Sequence, residues 1–328
     1  MDTGTHIVMG VALGGLATLD PAVQNDPELF GAVFAGTVIG SHAPDFDTVL
    51  KLRNNAVYIR HHRGITHSMP AVLLWGILLA GIIYAILPSV SFGHLWLWTA
   101  LAVVIHVLVD IPNAYGTQAL RPFSHKWVAH GVINTFDPYI FLLLAGGIVA
   151  WLIGANPGYT FLILYAVIAL YYIKRYIDKR EIIRKIKDHY PETRQIVTSP
   201  TIKQNRWRVA ITTNDYFYVG KVKDGHIDII DQFRKVPLPD NELFRIARQD
   251  KNIDAFLSFS PVYRWEQNDY DDVTEIRLID LRYRSNDRYP FVAVALIDEN
   301  KQILNSYTGW IYSEQKLQNK LEFRNSPI

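Results

Sequence analysis

The sequence predicts an α-helical integral membrane bundle followed by a β-rich soluble α+β domain. Residues 1–173 contain six Lys+Arg and eight Asp+Glu, whereas residues 174–328 contain 27 and 23. Two stretches of the charge-poor half, 69–109 and 138–173, contain no Asp, Glu, Lys or Arg. Each is long enough for two spans of roughly 20 residues. Helices of a soluble core are a weaker interpretation, because these segments are apolar on all sides.

Turn-forming residues divide each apolar stretch near its middle, with Pro88 and Gly93 in the first and the Asn156-Pro157-Gly158 turn in the second. We therefore predict four spans, at about 70–88, 93–111, 138–154 and 158–174. Two earlier segments, 5–19 and 29–40, form a hairpin that is either a pair of short tilted spans or a re-entrant pair. The bundle then has about six spans, or four plus the re-entrant pair.

The distribution of cations predicts the orientation in the membrane. The loops 20–28, 88–94 and 154–158 contain no Lys or Arg, and the cations of the bundle lie in the loops of the opposite face. The positive-inside rule places that opposite face, and both termini, in the cytoplasm. We therefore expect a multi-pass protein of a bacterial-type plasma (inner) membrane. The first residues lack the basic region of a cleavable signal peptide.

Three domains are predicted: a helical membrane domain with the metal site at 1–176, a charged amphipathic connecting helix at 177–194, and a cytoplasmic β-rich domain at 195–328. Runs of β-branched and aromatic residues predict strands at 206–211, 216–219, 274–279 and 291–296, and 241–248 is predicted as a helix. The net charge of +2 and the absence of a basic patch indicate no nucleic-acid partner. With no cysteine, the chain has neither disulfides nor thiolate ligands.

Nine of the eleven histidines lie before residue 131, together with most of the carboxylates of the membrane domain. Imidazole and carboxylate groups suit divalent metals. His106 and Asp110 are four residues apart, so both side chains lie on one helix face. Ionisable residues in a spanning helix are costly and usually functional. The alternative is a structural hydrogen bond in which Asp110 only orients His106.

Further candidates lie at the ends of the predicted helices on the same face of the membrane. His6 begins the first helix, and Asp45 and Asp47 follow Pro44. The loop 60–68 (RHHRGITHS) is too rich in cations to stand without anions or a metal nearby. The predicted metal ligands are His6, Asp45, His62, His67, His106, Asp110 and His125. The alternative for the loop 60–68 is a basic cluster that binds lipid headgroups.

This set predicts a membrane-embedded metal-dependent hydrolase with one or two divalent ions, zinc first and manganese or iron as alternatives. Metal-bound water ionises near neutral pH, which supplies the nucleophile. Asp47 is predicted to orient that water, and Arg60, Arg63 and Arg121 to neutralise charge on phosphate oxygens. The expected partners are membrane lipids, and the expected substrate is a phospholipid or another amphiphilic phosphoester at the cytoplasmic interface. The sequence does not specify an oligomeric state.

Two other functions remain open from the residues alone. One is a non-catalytic sensor or scaffold, with a structural metal site and a cytoplasmic binding domain. The weaker one is a metal transporter, because the ionisable residues crowd one rim of the bundle and only His106 lies deep in a predicted span.

Residues 1–137 resemble the YdjM or DUF457 family of membrane-bound metal-dependent hydrolases. The resemblance rests on Thr5-His6, on 42–47 (HAPDFD), on 62–68 (HRGITHS) and on the His106–Asp110 pair. A more distant similarity to zinc-dependent phospholipases C implies that His6, Asp45, His106 and Asp110 bind a zinc cluster. The later helical His and Glu ligands of those enzymes are not clearly matched here, so the similarity does not imply a complete three-metal cluster.

Overall fold

The computed structural model describes residues 1–322, which divide into two compact units. The first unit comprises Met1–Asp47, Arg63–Arg180 and Pro200–Lys203; the second comprises Thr48–His62, Glu181–Ser199 and the chain from Gln204 onward. Segment 48–62 thus leaves the helical unit and returns to it at Arg63. The predicted boundary at residue 176 falls inside a continuous helix, and the division between the units follows Arg180.

The first unit is built from helices, most of which are capped at the N-terminus by a side chain. They are α1 (Thr3–Leu16), α2 (Pro21–Asn25), α3 (Pro27–Gly40), α5 (Met69–Ile86), α6 (Phe92–Asp110), α7 (Pro138–Leu152) and α8 (Pro157–His189), with α4 (Asn55–His61) belonging to the second unit. The side chains of Asp2, Asp26, Ser68 and Asp137 accept backbone N–H groups at the starts of α1, α3, α5 and α7. Such caps satisfy donors that have no partner within the helix.

Three of the described helices, α5, α6 and α8, are long and apolar enough to cross a membrane by length and composition. The predicted count of six spans is not confirmed. Helices α1 and α3 have 14 residues and α7 has 15, so each is at most about 22 Å long. A bilayer core is about 30 Å thick. The predicted last span and the connecting helix are one helix, α8, since no breaker separates them.

Glycines allow the helices of the first unit to approach closely. A Cβ atom on Gly36 of α3 would lie 2.2 Å from Oγ1 of Thr99 of α6, and one on Gly76 of α5 would lie 2.8 Å from Cβ of Ala100 of α6. Small residues at such crossings bring backbones together in membrane bundles. These close approaches position α3 and α5 against α6. Candidate site residues lie at the ends of these helices or in the segments next to them.

The substitution Gly36→Ala is expected to destabilise the first unit by about 1–3 kcal/mol, because Thr99 must move to admit the methyl group. Gly31→Ala, on the same helix with nothing within 4 Å of the added Cβ, is the matched control and should be neutral or slightly stabilising. Adding Thr99→Ala should recover part of the loss. Thermal unfolding of the detergent-purified variants measures this, and equal midpoints for the two glycine variants would contradict the packing account.

The second unit contains two four-stranded sheets, each in sequential strand order. The second, third and fourth strands of the first sheet pair antiparallel, as do all strands of the second sheet. The first sheet holds β1 (Gln195–Pro200), β2 (Arg206–Thr212), β3 (Tyr216–Lys223) and β4 (His226–Arg234); the second holds β5 (Tyr263–Asp269), β6 (Val273–Asp280), β7 (Phe291–Asp298) and β8 (Ile303–Trp310). Helices α9 (Glu242–Gln249), α10 (Lys251–Phe259) and α11 (Glu314–Glu322) accompany them. The four predicted strands fall within β2, β3, β6 and β7, and the predicted helix is α9.

Candidate metal centre

Four buried side chains, those of Asp45, His67, His106 and Asp110, converge in the first unit. Each offers one ligand atom, and these atoms all lie within 4.8 Å of one another. Asp45 lies in the 3-10 helix Ala43–Leu52 that follows α3, and His67 ends the 3-10 turn that precedes α5. His106 and Asp110 occupy the last turn of α6, on one face. The ends of three helices therefore bring together residues that are up to 65 positions apart in the chain.

The spacing of these atoms matches a tetrahedral ion. Nε2 of His67 lies 3.2 Å from Nε2 of His106, 3.5 Å from Oδ1 of Asp45 and 3.4 Å from Oδ2 of Asp110. Nε2 of His106 lies 3.7 Å from each of the same two carboxylate oxygens. Tetrahedral bonds of about 2.0–2.2 Å set the ligand atoms about 3.3–3.6 Å apart. The residues present thus fit a divalent metal.

One oxygen of each carboxylate in the cluster is buried without a hydrogen-bond donor among the described residues. Oδ1 of Asp45 and Oδ2 of Asp110 are buried and accept no hydrogen bond from any residue within 1–322. Burial alone raises the pKa of Asp45, but its interaction with His106 and the charge of Arg63 outweigh burial and hold that pKa below its usual range. Asp45 is therefore ionised at neutral pH, in the form that binds metals. Buried charges normally carry partners or bind metals.

Hydrogen bonds on the far side of both imidazoles aim their Nε2 atoms into the cluster. Nδ1 of His106 donates to the carbonyl oxygen of Ser41 at 2.6 Å, and since a carbonyl only accepts, Nδ1 carries the proton. Nδ1 of His67 lies 3.1 Å from the hydroxyl of Thr66, which donates to Oδ2 of Asp47 at 2.6 Å. The hydroxyl therefore accepts from His67. A neutral imidazole with its proton on Nδ1 presents an unprotonated Nε2 to the cluster, the arrangement found in metal-binding histidines.

Asp47 and Arg63 hold the loop that carries His67. Oδ2 of Asp47 accepts the backbone N–H of Arg63 at 3.0 Å as well as the Thr66 hydroxyl. Arg63 has a φ of +59°, a left-handed conformation that is costly for a residue with a side chain and is found at functional sites. Its Nη2 lies 3.3 Å from Oδ1 of Asp110, while its buried Nε and Nη1 atoms have no hydrogen-bond partner among residues 1–322.

His6 lies beside the four cluster residues rather than among them. Its ring stacks on His106 with 3.8 Å between centroids, and its Nε2 lies 3.5 Å from Oδ1 of Asp110. The same oxygen accepts a hydrogen bond from the side chain of Asn113 at 3.2 Å and contacts the amino group of Met1. The two oxygens of Asp110 thus face different groups: Oδ2 faces His67 and His106, and Oδ1 faces His6.

Four predicted site residues are not placed in this cluster. Arg60 and His62 belong to the second unit, where Arg60 pairs with Asp254 and the ring of His62 stacks on Tyr58. The physical reason is that α4 packs within that unit, with the Asn55 side chain bonded to the Thr308 carbonyl. In the first unit, His125 is exposed in the loop 118–126, and Arg121 makes no hydrogen bond or ion pair with the four residues in the part of the chain that is described.

Sequence reasoning missed the residues that orient the cluster. Ser41 acts through its carbonyl oxygen, which no side-chain pattern reveals. Thr66 had a local signal, since it directly precedes His67 in a loop rich in ionisable groups. The structure shows that the hydroxyl of Thr66 joins His67 to Asp47.

Comparison with known proteins agrees with the sequence resemblance. The family model described as YdjM inner membrane protein matches residues 1–182, and the models described as YfhP middle domain and YfhP C-terminal alpha/beta plait domain match residues 191–233 and 242–321. The protein called uncharacterized protein YfhP of Bacillus subtilis (strain 168) is 57% identical over 323 residues, which cover 98% of this chain and 99% of that protein. No solved structure matches the chain. The predicted relationship is confirmed, and the chain belongs to the YdjM inner membrane protein family.

Proposed function

We propose that this protein is a membrane-embedded metal-dependent hydrolase with its reactive centre at Asp45, His67, His106 and Asp110. The observation that carries the proposal is the pair of buried carboxylate oxygens without hydrogen bonds, facing two imidazole Nε2 atoms at 3.4–3.7 Å. The two carboxylates balance the charge of one divalent cation, and the two imidazoles bind it as neutral ligands. Two nitrogen and two oxygen donors favour zinc, with manganese or iron as alternatives.

A second ion would lie beside the first if the amino group of Met1, which contacts Oδ1 of Asp110, moved away. Oδ1 of Asp110 and Nε2 of His6, which are 3.5 Å apart, are the groups that would hold it. Both nitrogens of His6 are buried and have no hydrogen-bond partner among residues 1–322. Asp110 and His6 would then hold the second ion, and a pair of ions would supply stabilisation of both the attacking and the leaving oxygen of a phosphoester.

The protein side chains have separate tasks in such a reaction. When bound, the metal would supply a hydroxide at neutral pH. Arg63 would bind a phosphate oxygen through its unpaired Nη1 atom and offset the charge that develops there. Asp47 would hold His67 in its metal-binding tautomer through Thr66, rather than orient water as the sequence predicts.

The surroundings of the centre support an amphiphilic phosphoester as substrate. Ile65 and Met69, two residues before and after His67, are large, apolar and exposed, and the apolar helix α5 follows them. The distribution of cations supports a centre on the cytoplasmic side of the inner membrane, in a multi-pass protein with both termini in the cytoplasm. A phospholipid, or another lipid-like phosphoester, would reach such a centre from the leaflet.

Hydrolysis can be tested directly with detergent-purified, metal-loaded protein and a panel of chromogenic phosphomonoesters, phosphodiesters, carboxylic esters and phospholipids. We expect turnover of a phosphoester that disappears on chelation and returns on addition of metal. Both effects should be absent in His106→Ala and retained in His94→Ala, a substitution of another histidine on the same helix. Metal-loaded protein that turns over none of these substrates would contradict the hydrolase.

One observation favours the alternative of a non-catalytic sensor or scaffold. Four protein ligands complete a tetrahedral shell, as in structural zinc sites, whereas catalytic zinc usually keeps three and leaves a position for water. A hydrolase would therefore need a fifth position, a ligand that moves away, or the second ion beside His6. Stoichiometric metal without turnover, together with a partner captured by residues 195–328, would favour the sensor.

The substitution Thr66→Val is expected to lower metal affinity about 10–100-fold, because His67 loses the hydroxyl that fixes its tautomer and orientation. Thr66→Ser should restore most of that affinity. Thr37→Val is the matched control, since the Thr37 hydroxyl bonds only to the Phe34 carbonyl within α3. Competition with a chelating dye measures all three variants, and unchanged affinity in Thr66→Val would exclude this role.

A further inference from the structure

The loop 118–126 of the first unit is a closed, ordered projection. Its base is fixed to the backbone of Arg63, since the Gln118 N–H donates to the Arg63 carbonyl at 2.9 Å. The buried side chain of Gln118 closes the loop by donating to the carbonyl of His125 at 2.8 Å. Thr117 and Val128 pair as an antiparallel bridge just outside it. The tip is therefore held in place by backbone contacts at the end of the unit that carries Arg63.

The tip of this loop presents an apolar ring to the outside. Phe123 is 86% exposed and Leu120 is 43% exposed. At 86% exposure the ring of Phe123 makes little packing contact within the described part of the chain. Exposing it to water is unfavourable, and an apolar environment outside the chain would relieve this.

The charges around the tip are all of one sign. The segment 118–126 (QALRPFSHK) contains Arg121 and Lys126 and no carboxylate. Lys126 is exposed next to His125, and Arg121 is half-buried, with its Nε atom buried. An apolar ring between cations complements an anionic lipid leaflet, with acyl chains for the ring and phosphates for the cations. A second copy of this chain would have to offer an acidic and apolar surface, for which the loop gives no indication.

We propose that the loop 118–126 anchors the first unit to the anionic cytoplasmic leaflet. Phe123 and Leu120 enter the boundary between headgroups and acyl chains, while Arg121 and Lys126 contact lipid phosphates. This assigns Arg121 and His125 to the lipid surface rather than to the metal centre. The proposed anchor is independent of the proposed hydrolase, because neither bound metal nor turnover enters it. Either proposal can therefore be wrong while the other is right.

The absence of cysteine allows a direct test of depth in the membrane. Phe123→Cys is spin-labelled in full-length protein reconstituted in vesicles of phosphatidylglycerol and phosphatidylcholine. Leu74→Cys, on the exposed face of α5, is the reference for lipid, and Tyr270→Cys, in an exposed turn of the second unit, is the reference for water. We expect the label at 123 to collide more with oxygen and less with a soluble nickel complex than the label at 270.

Two outcomes would overturn the anchor. Nickel accessibility at 123 equal to that at 270 would place the loop in water. Protection from both reagents together with spin–spin broadening would place it against a second copy of the chain.

The role of the cations is tested in the same vesicles with Arg121→Gln and Lys126→Gln. Each substitution should reduce the ratio of inserted to free loop about fivefold, the equivalent of about 1 kcal/mol per cation near an anionic surface. Lys203→Gln, at an exposed position of the first unit, is the matched control. Vesicles of phosphatidylcholine alone should reduce the ratio about 25-fold with the wild type, because both cations then lose the anionic surface. If insertion of the loop were independent of both lipid charge and these cations, the proposal that its partner is an anionic leaflet would be wrong.

Discussion

The substitution His106→Ala is expected to abolish stoichiometric metal binding. In the wild type we expect about one ion per chain, held by two imidazoles and two carboxylates. Removing Nε2 of His106 leaves three ligands, and it also removes the hydrogen bond by which Ser41 fixes the ring. Metal analysis of detergent-purified protein by mass spectrometry measures the change. Because a cation compensates the buried carboxylates, the variant should also lose the stabilisation by added metal that the wild type shows.

Helix α6 offers a matched control for this experiment. His94 lies at the opposite end of the same helix, where its Nδ1 is 2.6 Å from Oδ2 of Asp20. His94→Ala should retain the metal content of the wild type. Equal metal content in the wild type and in His106→Ala would show that any metal present is bound elsewhere.

The substitution Asp110→Asn is expected to have the second large effect, and it should act on stability as well as on metal. Asp110 is fully buried, and its Oδ1 lies 3.3 Å from Nη2 of Arg63. The neutral amide leaves both the Arg63 guanidinium and the Met1 amino group buried without this counter-charge. Breaking a buried ion pair on one side typically costs about 3–5 kcal/mol. We therefore expect a lower unfolding midpoint than the wild type even when both proteins are stripped of metal by a chelator.

The control for Asp110→Asn is Asp137→Asn, which changes another buried carboxylate of the first unit. Asp137 caps α7 by accepting the N–H groups of Tyr139 and Ile140, and asparagine caps helices as well as aspartate does. This variant should keep its metal and most of its stability. If chelated Asp110→Asn were as stable as the chelated wild type, Asp110 would not be the counter-ion of Arg63.

Local periodicity predicted the part of the centre that lies on one element. His106 and Asp110 are one helical turn apart, and a spacing of four places both on one face wherever α6 packs. Asp45 and His67 were predicted from their residue types at helix ends and from the family resemblance. The same reasoning included His62 as a ligand and Arg60 as a partner of phosphate oxygens, because the loop 60–68 is rich in cations.

Long-range packing decides the position of that segment. The Asn55 side chain bonds to the carbonyl of Thr308, which lies 253 residues away, and this contact holds α4 in the second unit. No local pattern around Asn55 signals a partner so distant. The change in charge near residue 174 was similarly interpreted as an element boundary, whereas helical geometry tolerates that change and α8 continues to His189.

The central claim is that one divalent ion joins Asp45, His67, His106 and Asp110, and anomalous X-ray scattering from crystals of the metal-loaded protein tests it most directly. The account predicts an anomalous peak about 2.0–2.2 Å from Nε2 of both histidines and from one oxygen of each aspartate. A map without a peak at that position, or a peak bound only by other residues, would contradict it.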